Sequence, residues 1–105
     1  RHYGKLDFST ISYYEVRRGL VHVGASRRLA DLEALTDVSN LWELGRRAAS
    51  QAADICAALW RKGEPLEDAD ILIAAIARSN GLALATNNEA HFSRVPGLVT
   101  ENWLA

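Results

Sequence analysis

Residues 65–77, PLEDADILIAAIA, join a cluster of carboxylates to a helix-length apolar segment. Every residue from Ile71 to Ala77 is apolar, so a helix built from them is hydrophobic on nearly every side and is tolerated only where most sides are packed. The pattern predicts such a helix from near Asp68 to Asn80-Gly81, and the acids at its start, Glu67, Asp68 and Asp70, need a reason to be there. Downstream, LALAT (82–86) reads as a short buried strand. NNEAHF (87–92) reads as a loop opening into a helical turn, and GLVTENW (97–103) as a final strand or edge. Upstream, Leu41, Leu44, Ala48, Ala52, Ile55 and Leu59 step by three or four and predict one buried stripe on a long helix. Arg61 and Lys62 suit its negative C-terminal end, and Gly63 and Pro65 stop it. At the start of the chain LDFSTI (6–11) alternates like a strand before SYYEVRRGL takes helical spacing. The switch is expected at Ser12, with Ser12 and Glu15 forming an S-x-x-E capping box. Gly19 or Gly24 ends this helix, and residues 25–40 look helical around Leu29, Leu32 and Leu35. Helices alternating with buried strands predict an α/β fold with a mostly parallel sheet and helices on its faces. In such sheets ligands gather at the carboxyl ends of the strands.

At 105 residues and 49% hydrophobic the chain is expected to form one domain, residues 1–105, with a modest core. Twelve basic and 13 acidic residues leave a net charge of -1, so no global positive field advertises nucleic acid. Basic residues pair locally, as Arg17-Arg18, Arg27-Arg28, Arg46-Arg47 and Arg61-Lys62, which on helices are more often solvated faces. The single cysteine, Cys56, excludes an internal disulfide and sits in an apolar helical pattern, so a reduced, cytoplasmic setting is expected. No apolar run approaches the length of a membrane span, and the opening RHYGKLD lacks the layout of a signal peptide. The chain contains no methionine, which predicts a fragment or a processed form.

Three junctions place polar groups at strand ends: Glu15 after FSTI, Asp70 at the start of the apolar helix, and Thr86, Asn87 and Asn88 after LALAT. Each has a plain explanation. Glu15 serves a cap, Asp68 and Asp70 complement a helix dipole for roughly 0.3–1 kcal/mol each, and Asn87-Asn88 makes a turn. Taken together they carry more, because Asp70 lies in the first turn of a helix whose remaining surface is apolar, which directs its carboxylate into partly enclosed space. Carboxylates gathered without a cation raise one another's pKa values, whereas Mg²⁺ or Mn²⁺ neutralises them and keeps waters for substrate phosphates. That pattern points to metal-assisted phosphodiester cleavage. Other chemistries have less support: His2, His22 and His91 lack zinc spacing, and neither a G-x-G-x-x-G nor a Walker loop is present. Nor does any serine have the histidine and acid of a nucleophilic triad.

FSTISYYEVRRGL resembles the second-strand segment of PIN-domain proteins. RKGEPLEDADILIAAIARSNGLALATNNEAHFSRVPGLVTENW resembles the C-terminal half of the same family, most closely the toxins of VapBC toxin–antitoxin pairs. The likeness covers roughly residues 6–20 and 43–104, and rests on D-x-L-I-A-A, T-x-N and F-x-R-V-P-G-L followed by a tryptophan. It implies a three-layer α/β/α sandwich and a Mg²⁺- or Mn²⁺-dependent endoribonuclease. Carried over by position, Glu15 and Asp70 resemble metal-binding acids, and Asn88 stands where other members have an aspartate or an asparagine. Ser12 and Thr86 resemble supporting hydroxyl residues; Glu67 and Asp68 are expected first as N-terminal capping and dipole groups, with a supporting or direct ligand role for Asp68 as the alternative. Arg17, Arg18 and Arg94 are candidates for contacting RNA phosphates. An antitoxin-like protein is the implied partner.

The chain departs from the family at its start. Members begin with a strand ending in an aspartate several tens of residues before the position of Glu15, and only fourteen residues precede Glu15 here. Asp7 is on the wrong side of the following strand to replace it. The expectation is an N-terminally truncated PIN-like domain whose unpaired strand edges favour a homodimer. Two functional readings stay open: a metal-dependent ribonuclease, or a catalytically incomplete module that binds a protein partner or itself without cleaving RNA.

Overall fold

The computed structural model describes residues 6–86 and 88–102. Asn87 of the expected turn, Trp103 of the closing motif and His2 lie outside the described residues. The chain is helix-rich, with short strands that all pair in parallel, and its contacts divide it into two compact units, Arg1–Glu43 and Leu44–Ala105.

The first unit runs β1 (Asp7–Ser9), α1 (Thr10–Val23), α2 (Ser26–Asp37) and β2 (Asn40–Trp42). The strands pair with Asp7 opposite Asn40, Phe8 opposite Leu41 and Ser9 opposite Trp42. Asp7 is part of this pairing. Its Oδ1 accepts from Asn40 Nδ2 and from Trp42 Nε1, each at 3.0 Å, so the carboxylate fastens one strand to the other. The strand-to-helix switch comes three residues earlier than the sequence suggests. Ser9, not Ser12, is the N-cap: its Oγ accepts the Ser12 N–H at 3.0 Å and donates to Ser12 Oγ at 3.1 Å. Two serines three residues apart offer two registers for one cap, and the buried Ser9 takes it, which releases Glu15 from the expected capping box. At the other end Gly24 adopts φ +68°, and its N–H bonds back to the Leu20 and Val21 carbonyls. This left-handed C-cap is a conformation that side chains with a Cβ rarely adopt.

The second unit runs α3 (Arg46–Arg61), α4 (Asp68–Ser79), β3 (Leu84–Thr86), α5 (Glu89–Phe92) and β4 (Thr100–Asn102). On α3 the stripe is Ala48, Ala52, Ile55 and Leu59. Leu41 and Leu44, which continue the same spacing in sequence, are exposed and lie outside the helix, Leu41 within β2. On α4, Ile71 and Ala74 to Ala77 are buried. With Leu66, Phe92 and Val95 the two helices build one core around Ile55, Leu59 and Ile71, and Ile76 on α4 is likewise deeply buried. Runs of alanine allow α3 and α4 to approach closely, and α4 carries apolar groups on most sides because those sides are packed. Glu67 occupies the N-cap position of α4 in an extended conformation but makes no side-chain capping bond. The LALAT strand is shorter and less buried than expected, with Ala85 exposed, and it pairs in register with β4, Leu84 opposite Thr100 and Thr86 opposite Asn102.

Candidate active site

Asp70 lies in the first turn of α4 and is half-buried. Burial pushes its carboxyl above the ordinary value of 3.8, the charge of Glu67 adds to the rise, and His91 works against it. No described residue donates a hydrogen bond to this carboxylate. Asp68 is two residues away, a spacing that does not face the same direction on a helix. It borders instead a cleft of about 250 Å³ between α3 and α4, together with Ala52, Cys56 and Ile71.

The segment after β3 is held by a set of short polar contacts. Thr86 Oγ1 accepts the Asn88 N–H at 2.9 Å, and Asn88 Nδ2 lies 3.0 Å from His91 Nδ1. Glu89 accepts from Thr100 Oγ1 at 3.3 Å, which ties α5 to β4. Arg94 donates to the Pro65 carbonyl at 3.2 Å and so links the segment after α5 to the approach to α4. Through the charge of His91, this segment acts on Asp70. The pairing of His91 with Asn88 is not among the features expected from the sequence, where the N-x-x-H spacing at the start of a helical turn is its one signal.

In the first unit Glu15 is half-buried on α1 and has no hydrogen-bond or ion-pair partner among the described residues. Ser12 exchanges two hydrogen bonds with Ser9. Arg17 pairs with Glu33 at 2.9 Å, and Tyr13 donates to the same carboxylate oxygen at 2.6 Å, a bond that raises the Tyr13 pKa. Arg18 lies 5.2 Å above the Tyr14 ring. Tyr13, Tyr14, Arg17, Arg18, Val21 and His22 line a cavity of about 510 Å³ on the α1 surface. Of the three arginines considered for phosphate, Arg17 and Arg94 thus already have partners within the protein, and Arg18 pairs with no carboxylate among the described residues. Among the described residues no group of three or more His, Cys, Asp or Glu is gathered as a metal centre. No helix there is long and apolar enough to cross a membrane.

Residues 2–98 match the PIN domain family. The chain belongs to the PIN-domain family. The tRNA(fMet)-specific endonuclease VapC of Shigella flexneri is 36% identical over 101 residues, which span 95% of this chain and 76% of that protein. Ribonuclease VapC2 of Haemophilus influenzae is 34% identical over 102 residues, 96% of this chain and 77% of that one. Among solved structures, DNA-bound VapBC from Salmonella typhimurium superimposes with a TM-score of 0.85 at 34% identity, covering 92% of this chain and 74% of that one. VapBC-1 from nontypeable Haemophilus influenzae gives 0.86 at 25% identity, covering 96% and 76%. The PIN fold is therefore shared over nearly the whole chain, and its relatives are of the VapC type.

Proposed function

We propose that this PIN domain is a VapC-type endoribonuclease that hydrolyses RNA phosphodiesters with Mg²⁺ or Mn²⁺. The observation that carries the reading is Asp70: a half-buried carboxylate, made harder to ionise by burial and by Glu67, which accepts no hydrogen bond from a donor among the described residues. A divalent cation is the natural compensation, and oxygen donors suit a hard ion. Asp70 and Glu15 are the residues assigned to hold it, Asn88 completes the catalytic set, and Ser12, Thr86 and Asp68 support them. When bound, the ion supplies Lewis-acid polarisation of the phosphate and activation of water. Thr86 fixes the backbone that presents Asn88, and Arg18, with lesser parts for Arg17 and Arg94, attracts the RNA backbone toward an otherwise acidic site. The decisive experiment measures Mn²⁺ binding by calorimetry and RNA cleavage in parallel. Both are expected in the unaltered protein and absent in Asp70→Asn; cleavage that survives the substitution would assign the activity elsewhere.

The second reading, a module that binds a protein partner without cleaving, draws on the first unit. Neither α1 nor α2 buries a residue, and Tyr14, Val21, Val23, Leu35 and Val38 stand exposed. Such a face suits a partner of the antitoxin kind. Co-purification of a small partner with no nuclease activity at any Mg²⁺ or Mn²⁺ concentration would favour this reading. The homodimer expected from the sequence belongs to the same proposal, and sedimentation equilibrium tests it.

A further inference from the structure

Residues 92–98, FSRVPGL, form a strap that is fastened to α4 at both of its ends. Between the fastenings Phe92 and Val95 are buried in the core with Leu66, Ile71 and Ala74. On one side Arg94 donates from Nη1 to the Pro65 carbonyl at 3.2 Å, on the approach to α4. On the other, Arg78 in the last turn of α4 donates from Nη1 to the Pro96 carbonyl at 2.8 Å. The same guanidinium donates from Nε to Gln51 Oε1 on α3 at 2.9 Å. An arginine can only donate and a carbonyl only accept, so the sense of both ties to the strap is fixed by chemistry. Gly97, at φ +76°, turns the chain directly after Pro96, a conformation in which any other residue is strained.

The two ties act on different ends of the helix. Pro65 is followed by Leu66, which shares the core with Phe92 and Val95, then by Glu67 at the N-cap position and Asp70 in the first turn. Glu67 makes no side-chain capping bond, so the start of α4 lacks the local device that ordinarily fixes a helix N-terminus. It is held from outside instead, by the packing of Leu66 and by the Arg94 bond. Arg94 in turn moves with α5 as one piece. The Ser93 N–H bonds to the Glu89 carbonyl at 2.8 Å and the Val95 N–H to that of Phe92 at 3.0 Å. Asn88 is the N-cap residue of the same α5. One guanidinium thus joins the segment that carries Asp70 to the segment that carries Asn88.

We propose that Arg94 is a positioning residue: its bond to Pro65 sets the first turn of α4, and with it Asp70, against the loop after β3. The geometric part stands independently, and the consequence for cleavage rests on the metal-ribonuclease reading. The test is amide hydrogen exchange in the full chain, with Arg94→Met and Arg78→Met as a pair. Both arginines are half-buried, and denaturant unfolding checks that each variant folds. Ile71, whose N–H bonds to the Glu67 carbonyl at 3.1 Å, reports the first turn of α4. Leu82, whose N–H bonds to the Ala77 carbonyl at 2.9 Å, reports the turn that closes its other end. Loss of one hydrogen bond predicts exchange about fivefold faster at Ile71 in Arg94→Met with Leu82 unmoved, and the reverse in Arg78→Met. For RNA cleavage, a displaced Asp70 predicts a kcat about tenfold lower in Arg94→Met with KM within about twofold. A direct phosphate contact would instead raise KM and lower the salt slope of RNA binding by about one. Unchanged exchange at Ile71, equal acceleration of both amides in both variants, or the phosphate-contact pattern overturns the proposal. If exchange behaves as expected but the unaltered protein neither binds Mn²⁺ nor cuts RNA, the positioning of α4 stands and the ribonuclease reading fails.

Discussion

The two compact units are held together by different forces. In residues 44–105 the α3 and α4 stripes close over Ile55, Leu59 and Ile71, and every buried apolar side chain among the described residues belongs to this unit. In residues 1–43 the one buried residue described is a serine, Ser9, while Val23 is 71% exposed and Val38 61%. Order there comes from polar ties: Ser9 to Ser12, Asp7 to Asn40 and Trp42, and Tyr13 and Arg17 to Glu33. Hydrogen bonds and surface ion pairs contribute little net stability compared with a packed core. The contrast places the packed core in the second unit and leaves exposed apolar and aromatic groups on the first.

The sharpest way to break this contrast is to remove core volume. Leu59→Ala should cost about 2–5 kcal/mol in denaturant unfolding, because the side chain is 1% exposed and its cavity cannot collapse between two helices. Val23→Ala should change stability by less than about 0.5 kcal/mol. Equal losses at the two positions would mean that the first unit carries a core of its own. The next effect in size is ligand linkage. If Asp70 holds a divalent cation, Mn²⁺ at about one hundred times its dissociation constant should add about 2.7 kcal/mol to stability in the unaltered protein. The addition should vanish in Asp70→Asn, as followed by thermal unfolding. Smaller still is Glu33→Ala, which deprives Tyr13 and Arg17 of their common acceptor. Amide exchange in α1 and α2 should quicken by a factor of up to about five while α3 and α4 are unmoved. The Tyr13 hydroxyl, raised chiefly by its bond to Glu33, should titrate closer to its ordinary value. Faster exchange in α3 and α4 as well would show that the polar ties support both units.

What the sequence revealed divides along the same line. The α4 helix and the Ala48 to Leu59 stripe were legible, because each is written in spacing, whereas spacing left Gly19 and Gly24 as alternatives and only the structure selects Gly24 as the C-cap. The start of α1 and the place of Leu41 were not. Ser9 and Ser12 offered the same cap chemistry, and only burial chose between them. Leu41 continues the helical step by coincidence, and its neighbour Asn40 is held in β2 by Asp7, 33 residues away, which no local pattern records. Of the candidate site, the sequence shows that acids open an apolar helix, and the structure places Asp68 and Asp70 in the first turn of α4. Its second layer was hidden: the partner of Arg17 is 16 residues distant and comes into reach only when α1 and α2 pack together.

Asp70 itself supplies the subtlest test, because a residue kept for chemistry should cost stability. Its folded pKa is raised above 3.8 by burial first and by Glu67 second. For an acid shifted in this direction the folded state binds protons more tightly than the unfolded state. Its contribution to stability is therefore fully present below the unfolded value and is lost as pH rises through the folded one. At neutral pH the ionised Asp70 opposes folding, although partial exposure keeps the effect small. Asp70→Asn should then unfold at a slightly higher temperature than the unaltered protein at neutral pH without divalent cation, and the advantage should shrink as pH falls toward 3.8. Added Mn²⁺ should reverse the order by stabilising only the protein that retains the carboxylate. A variant less stable than the unaltered protein under metal-free neutral conditions would show that Asp70 is there for the fold, as a complement to the α4 dipole, and would remove the main support for a cation at this position.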